Sequence, residues 1–129
     1  MFSKVAFEMI SFIVPIRNEE KTINETIKSI VNQKTDQKYE IIVADGLSND
    51  GTRNIIKDLC KVHKCIKLID NPDKIVSTGF NRALSITKGD VILRVDGHAT
   101  ISPDYIEQCL KAFKNTKGRL CWRPNHKFF

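Results

Sequence analysis

Four short runs rich in β-branched residues alternate with four segments whose apolar residues recur at helical spacing, and few folds accept that alternation. Strands are predicted over residues 11–14, ended by Pro15; over 40–44, stopping at Asp45-Gly46; over 65–69, closed by Asp70-Asn71-Pro72-Asp73; and over 90–95, running into Asp96-Gly97-His98. The first helix is predicted from Glu20, with Ile23, Ile27, Ile30 and Val31 on one face. Ser48, Asn49 and Asp50 offer N-caps to a second, with Ile55, Ile56, Leu59 and Val62 inward. A third is predicted over 77–87 with Phe80, Leu84 and Ile86 inward, ended by Gly89. The fourth starts at Ser102 as N-cap with Pro103 in the first helical position, and its stripe is Ile106, Cys109, Leu110 and Phe113.

Four βα units imply an α/β fold, a parallel sheet with helices on both faces. Ligands of such sheets bind outside the carboxyl ends of the strands. The polar residues at those ends are Asn18 and Glu19 after the first strand, Asp45 after the second, and Asp96 and His98 after the fourth.

Composition removes several alternatives. The chain of 129 residues carries a formal charge of +6, but Lys117, Arg119, Arg123 and Lys127 lie in the last thirteen residues, which hold no acid. Without those four, 17 basic side chains face 15 acidic ones, scattered among each other as on a solvated surface, so no nucleic-acid partner is expected. No run approaches the ~20 apolar residues of a membrane span. Arg17-Asn18-Glu19-Glu20 follows the apolar run over residues 9–16 where a signal peptide would need small residues, so the expected compartment is the cytoplasm. Cys60, Cys65, Cys109 and Cys121 lack paired C-x-x-C spacing and are expected to be structural thiols.

Familiar nucleotide and hydrolase signatures are missing. There is no G-x-G-x-x-G after the first strand, no P-loop and no G-x-S-x-G elbow. What remains is an Asp at one strand end and an Asp-x-His at another. A carboxylate can accept hydrogen bonds from a base N–H or a ribose hydroxyl. A carboxylate with an imidazole suits Mn²⁺ or Mg²⁺ bridging a diphosphate, where the ion offsets charge on a leaving nucleoside diphosphate. That division suggests transfer of a group from a nucleotide donor.

Three stretches carry a resemblance: residues 11–20, residues 43–52 and Gly79 through His98, in order and at matching spacing. They resemble the family 2 glycosyltransferases of the GT-A fold, over about residues 10–115. The segment Arg94-Val95-Asp96-Gly97-His98-Ala99 is most similar to the succinoglycan-type exopolysaccharide glucosyltransferases. The resemblance implies transfer of a hexose from a UDP-sugar to a glycan or lipid-linked acceptor, with Mn²⁺ or Mg²⁺ as cofactor. It also allows peripheral attachment to the cytoplasmic face of a membrane through regions not present in the chain.

Carried over by residue, Pro15 and the turn holding Asn18 match the wall of the uracil pocket, Glu19 a polar contact there, and Asp45 the acid that reads the base. Asn81 matches the Asn of the family's A-R-N-x-G segment, with Phe80 and Ala83 in place of its Arg and Gly. Asp96 and His98 fall on the metal-binding Asp-x-Asp motif, and an imidazole there favours Mn²⁺ or a softer ion. Singly, each residue has a plainer reading: Asp45-Gly46 as a turn, Glu19 as a first-turn helix acid, His98 as a loop histidine, Asn81 as a polar helix face.

Residues 1–116 are thus read as the nucleotide-sugar-binding part, and 117–129 as an irregular basic tail. The family's later part, with the acceptor site and its Asp or Glu base, has no match in this chain. Codons able to encode Gly118 to His126, read one base along, give Ala-Asp-Tyr-Val-Gly-Gly-Gln-Ile, which resembles the next segment of family members. A frameshift near Lys117 is the expectation. The alternatives are a truncated, non-catalytic nucleotide-binding remnant and a structural or interaction domain in which Asp96 and His98 only cap a strand.

Overall fold

All strands of the sheet run in one direction. The computed structural model describes residues 8–115, in which β1 (Ile10–Ile16), α1 (Ile23–Val31), β2 (Tyr39–Asp45), α2 (Thr52–Val62), β3 (Ile66–Asp70), α3 (Val76–Leu84), β4 (Val91–Arg94) and α4 (Tyr105–Asn115) succeed one another. The sheet order is β3-β2-β1-β4, every pair parallel. The chain therefore winds outward from β1 to β3, then crosses back to lay β4 on the other side of β1.

Both faces of the sheet are covered, which is why all seven residues of β1 are buried and read as one apolar run. Phe12, Val14, Ile41, Val43 and Leu93 point to the face covered by Ile23, Ile27 and Ile30 of α1, Ile56 and Leu59 of α2, and Ile106 of α4. Ile13, Ile42, Ala44 and Ile92 point to the opposite face, closed by Ala83, Phe80 and Leu84 of α3. Each fully buried isoleucine contributes roughly 2 kcal/mol by area removed from water.

Several expectations are corrected. Pro15 does not end the first strand but lies buried inside it, paired with Ala44. Ile10 and Ile16 bond towards β2 and Ile13 towards β4, so Pro15 also faces the β4 side. Pairing there stops at Ile13 with Arg94, so the missing N–H disrupts no ladder. Helix α3 ends at Leu84, leaving Ile86 exposed, and Gly89 is not its cap. Gly89 instead passes so close to β1 that a Cβ would lie 2.5 Å from Ser11 Oγ, 2.7 Å from Ser11 N and 2.9 Å from Met9 O.

Val62 is 72% exposed, in the last turn of α2. Helix α4 begins at Tyr105, not Pro103, and the Ser102 hydroxyl donates to Asp104 (2.8 Å). The N-cap of α2 is Gly51, not Ser48, Asn49 or Asp50; Asp50, one residue earlier, accepts the Thr52 N–H (2.9 Å) and hydroxyl on Oδ1. Burial raises its pKa, but the hydrogen bonds from the Thr52 side chain and backbone and from Glu20 outweigh that and hold it below the ordinary range. Cys60, Cys65 and Cys109 are free, half-buried against the core, and burial pushes their thiols above the usual pKa. The side chain of Phe113, Cys121 and the basic tail over 117–129 lie outside the described residues.

Candidate functional site

Three loops meet at the carboxyl end of the sheet, and two of them are stitched together. Arg17 Nε donates to Gly46 O (2.9 Å), Asn18 N to Ser48 Oγ (2.7 Å) and Glu19 N to Thr52 Oγ1 (2.9 Å). In return Asn49 N donates to Asn18 Oδ1 (2.9 Å) and Gly51 N to Glu20 Oε1 (2.7 Å). Asn18 holds φ 53°, a left-handed conformation that Asn tolerates better than most residues. The short polar residues after β1 and β2 thus supply the bonds that a loop cannot make with itself.

Asp45, the last residue of β2, is fully buried. Its Oδ2 accepts Ser48 N (2.9 Å) and Arg53 Nη1 (2.7 Å), and its Oδ1 accepts the Ser48 hydroxyl. Arg53 Nη2 reaches Asp70 Oδ1 at 2.8 Å. Asp70 ends β3 directly opposite Asp45, so one guanidinium sits between two neighbouring carboxylates. The hydrogen bond to Asp45 raises the Arg53 pKa most; burial opposes it, and Asp70 adds to it.

The loop after β4 is tied to the first helix. Thr22 and Thr26 hydroxyls both donate to Gly97 O (2.9 and 3.0 Å). Gly97 packs so tightly that a Cβ would lie 2.5 Å from Ile16 Cγ2 and 3.2 Å from Glu19 Cγ. This brings His98 Nδ1 to 3.4 Å from Glu19 Oε2, across the point where the strand order reverses. In open α/β sheets that reversal is the usual crevice. Asp96 Oδ1 accepts Arg94 Nε (3.0 Å) and Nη2 (2.9 Å).

Of the expected site residues, the structure joins Asn18 to Asp45 through Ser48 and Glu19 to His98, while the Glu19 N–H is held by Thr52 on the neighbouring loop. Pro15 lies beneath them in β1. Asn81 is exposed on α3, across the sheet from the other helices, and its side chain joins none of these. No cluster of three or more His, Cys, Asp or Glu arranged for a metal exists among the described residues. The donor set that a diphosphate-bound ion needs from protein is smaller, one or two oxygens or nitrogens. Asp96 Oδ2 and His98 Nε2, on half-exposed and exposed side chains, have no partner among the described residues and fit that need. A surface cavity of about 410 Å³ between α1 and α2, lined by Asn24, Ile55, Asp58, Leu59 and Val62, includes none of the site residues.

Sequence reasoning missed Arg53, Asp70 and the two threonines. Arg53 left a signal: a cation in the first turn of a helix opposes the macrodipole and needs a specific anion to hold it.

The model of the glycosyl transferase family 2 matches residues 11–127. The chain belongs to that family. Among family 2 relatives, the succinoglycan biosynthesis protein ExoA of Rhizobium meliloti (strain 1021) is 32% identical over 101 residues, 77% of this chain and 31% of that protein. A dolichyl N-acetyl-alpha-D-glucosaminyl phosphate 3-beta-D-2,3-diacetamido-2,3-dideoxy-beta-D-glucuronosyltransferase of Methanococcus voltae is 32% identical over 111 residues, 84% of this chain and 35% of its own. The chain thus spans about a third of the length of these relatives. The crystal structure of S. aureus TarS 1-349 in complex with UDP superposes with a TM-score of 0.72 at 25% identity, covering 82% of this chain and 32% of that one. The fold of residues 8–115 is the GT-A-like parallel sheet of the family, its N-terminal part.

Proposed function

We propose that this chain is the donor-binding part of a family 2 glycosyltransferase that transfers a hexose from a UDP-sugar to a glycan or lipid-linked acceptor in polysaccharide synthesis. The observation that carries the reading is the convergence of Glu19, Asp45, Asp96 and His98 at the carboxyl ends of β2, β1 and β4, around the reversal of strand order. The relatives' names and the UDP complex of TarS support it. Pro15, Asn18 and Asp45 form the base side of the site, with Asp45 accepting from the base. Glu19 lines the crevice beside them, and Asn81 contributes from α3 only to a donor that extends over that face.

Asp96 and His98 would hold Mn²⁺ or Mg²⁺. When bound, the ion offsets the negative charge of the departing diphosphate. The acceptor hydroxyl oxygen bonds to the anomeric carbon as the bond from that carbon to the diphosphate oxygen breaks, its electron pair leaving with UDP. The hydroxyl proton goes to an Asp or Glu base outside the residues given a role above. A cytoplasmic site, at the membrane face where lipid-linked acceptors lie, fits this chemistry. Among the described residues no helix is long and apolar enough to cross a membrane.

Titration calorimetry of UDP into the chain with and without Mn²⁺ tests the reading. Metal-dependent UDP binding is expected; no binding under either condition refutes it and favours an interaction domain. UDP binding without sugar turnover removes the catalytic part of the reading for this chain and keeps the binding part.

A further inference from the structure

We infer that Arg53 sets the base selectivity of the site: it leaves Asp45 one oxygen to read a nucleobase, so the pocket takes a single imide N–H, as in uracil, over the paired N–H groups of guanine. The inference rests on the proposed role of Asp45 as the base acceptor. A carboxylate oxygen has two acceptor positions. Asp45 Oδ2 has both filled, by Ser48 N at 2.9 Å and Arg53 Nη1 at 2.7 Å. Asp45 Oδ1 accepts only the Ser48 hydroxyl. That hydroxyl fills one of the two positions on Oδ1 and leaves the other to a ligand, while the Asn18 N–H (2.7 Å) holds the Ser48 oxygen in place.

Arg53 cannot turn aside cheaply. Its planar fork is pinned at both ends, on Asp45 and, at 2.8 Å, on Asp70. Swinging it out would break two charge-assisted bonds and leave a fully buried carboxylate without its cation. Uracil offers one N–H between two carbonyls, which one oxygen satisfies. Guanine offers a ring N–H and an amine side by side, which need two acceptor oxygens to be read together. The ring nitrogen of cytosine at the matching position is an acceptor and would meet Oδ1 lone pair to lone pair. Asp70 is thus a positioning residue, acting through Arg53.

The test compares dissociation constants of UDP and GDP, with Mn²⁺ present, for the 129-residue chain and for its R53M and D70N variants. The parent chain is expected to bind UDP at least about tenfold tighter than GDP, the effect of one charge-assisted bond made or missed. R53M frees Oδ2, and the ratio should fall at least about fivefold, with GDP losing less than UDP or gaining outright. D70N keeps the Arg53–Asp45 contact but loosens it, and the ratio should fall about two- to threefold. Thermal melts establish that the variants are folded; if R53M is not, the D70N ratio decides alone. An unchanged ratio in the folded variants overturns the inference. A parent chain that prefers GDP overturns it while sparing the nucleotide-sugar reading, and one that binds no nucleotide overturns both.

Discussion

Strand β2 carries a buried carboxylate at each end, and the two are held by different kinds of partner. At the amino end Glu40, 5% exposed, accepts the Ser11 hydroxyl (2.6 Å) and Lys88 N (2.7 Å) on Oε2, while Ser11 Oγ accepts Gly89 N (2.8 Å). Every donor there is neutral; the Ser11 hydroxyl ties β1 to β2, and Lys88 N and Gly89 N tie the loop before β4 to those strands. At the carboxyl end Asp45 is held by a cation that is itself shared with Asp70, and by the Ser48 hydroxyl. Both carboxylates accept a serine hydroxyl whose oxygen also accepts a backbone N–H; among the described residues only Asp45 has a cation, and only Asp45 lies at the carboxyl end, where ligands of such sheets bind. One strand therefore supports both a lock and a site, and the difference lies in the charge of the donors and in the end of the sheet they occupy, not in depth of burial.

The two ends can be separated by substitution. Glu40→Ala should cost about 4 kcal/mol in urea denaturation, because it removes two hydrogen bonds to a charged group and strands their donors. UDP affinity of the folded fraction should be unchanged, and a cost below ~1 kcal/mol would break the picture of a lock. Gly89→Ala should cost about 3 kcal/mol, since its Cβ would meet backbone atoms of Ser11 and Met9 that cannot yield. Gly97→Ala, at the other end, meets the side chains of Ile16 and Glu19 and should cost about 1.5 kcal/mol. It should also weaken UDP binding, which Gly89→Ala should not.

Asp45→Ala and Asp96→Ala should each weaken UDP binding by more than ~1 kcal/mol by calorimetry. Asp96→Ala, at a half-exposed position, should leave stability within ~0.5 kcal/mol. Unchanged affinity in both would refute the site. The smallest expected effect is alkaline. Burial raises the pKa of Cys60, Cys65, Cys109, Tyr39 and Tyr105, so their contribution is complete below the ordinary thiol value of 9.0 and is lost as pH rises through the higher folded values. The melting temperature should fall between pH 9 and 11 by more than in a Cys60→Ala, Cys65→Ala, Cys109→Ala triple variant measured against its own value at pH 8.

All eight elements, their order and most of the inward faces of the first two helices, Val62 excepted, could be read from periodicity, because Ile23, Ile27, Ile30, Ile56 and Leu59 must face a core wherever the helices lie. The strand-end positions of Asp45, Asp96 and His98 were legible for the same local reason, and the family from the resemblance of three motifs in order. Glycines were harder. Gly89 looks like a helix cap in sequence, yet its role is set by Ser11, seventy-eight residues away. Helix ends also slipped, since the last turns of α2 and α3 depend on how far the sheet extends beneath them.

A parallel α/β sheet with polar loops at its carboxyl end follows from hydrophobic period and strand-ending acids, which are local properties of the chain; its GT-A type came only from the resemblance of residues 11–20, 43–52 and 79–98 to family 2. Only folding brings Arg53 between Asp45 and Asp70, Glu19 to His98, and Glu40 to its donors at the far end. Those contacts join residues on different strands and loops, and the partner of a buried charge is set by the register and crossing of the elements that carry it.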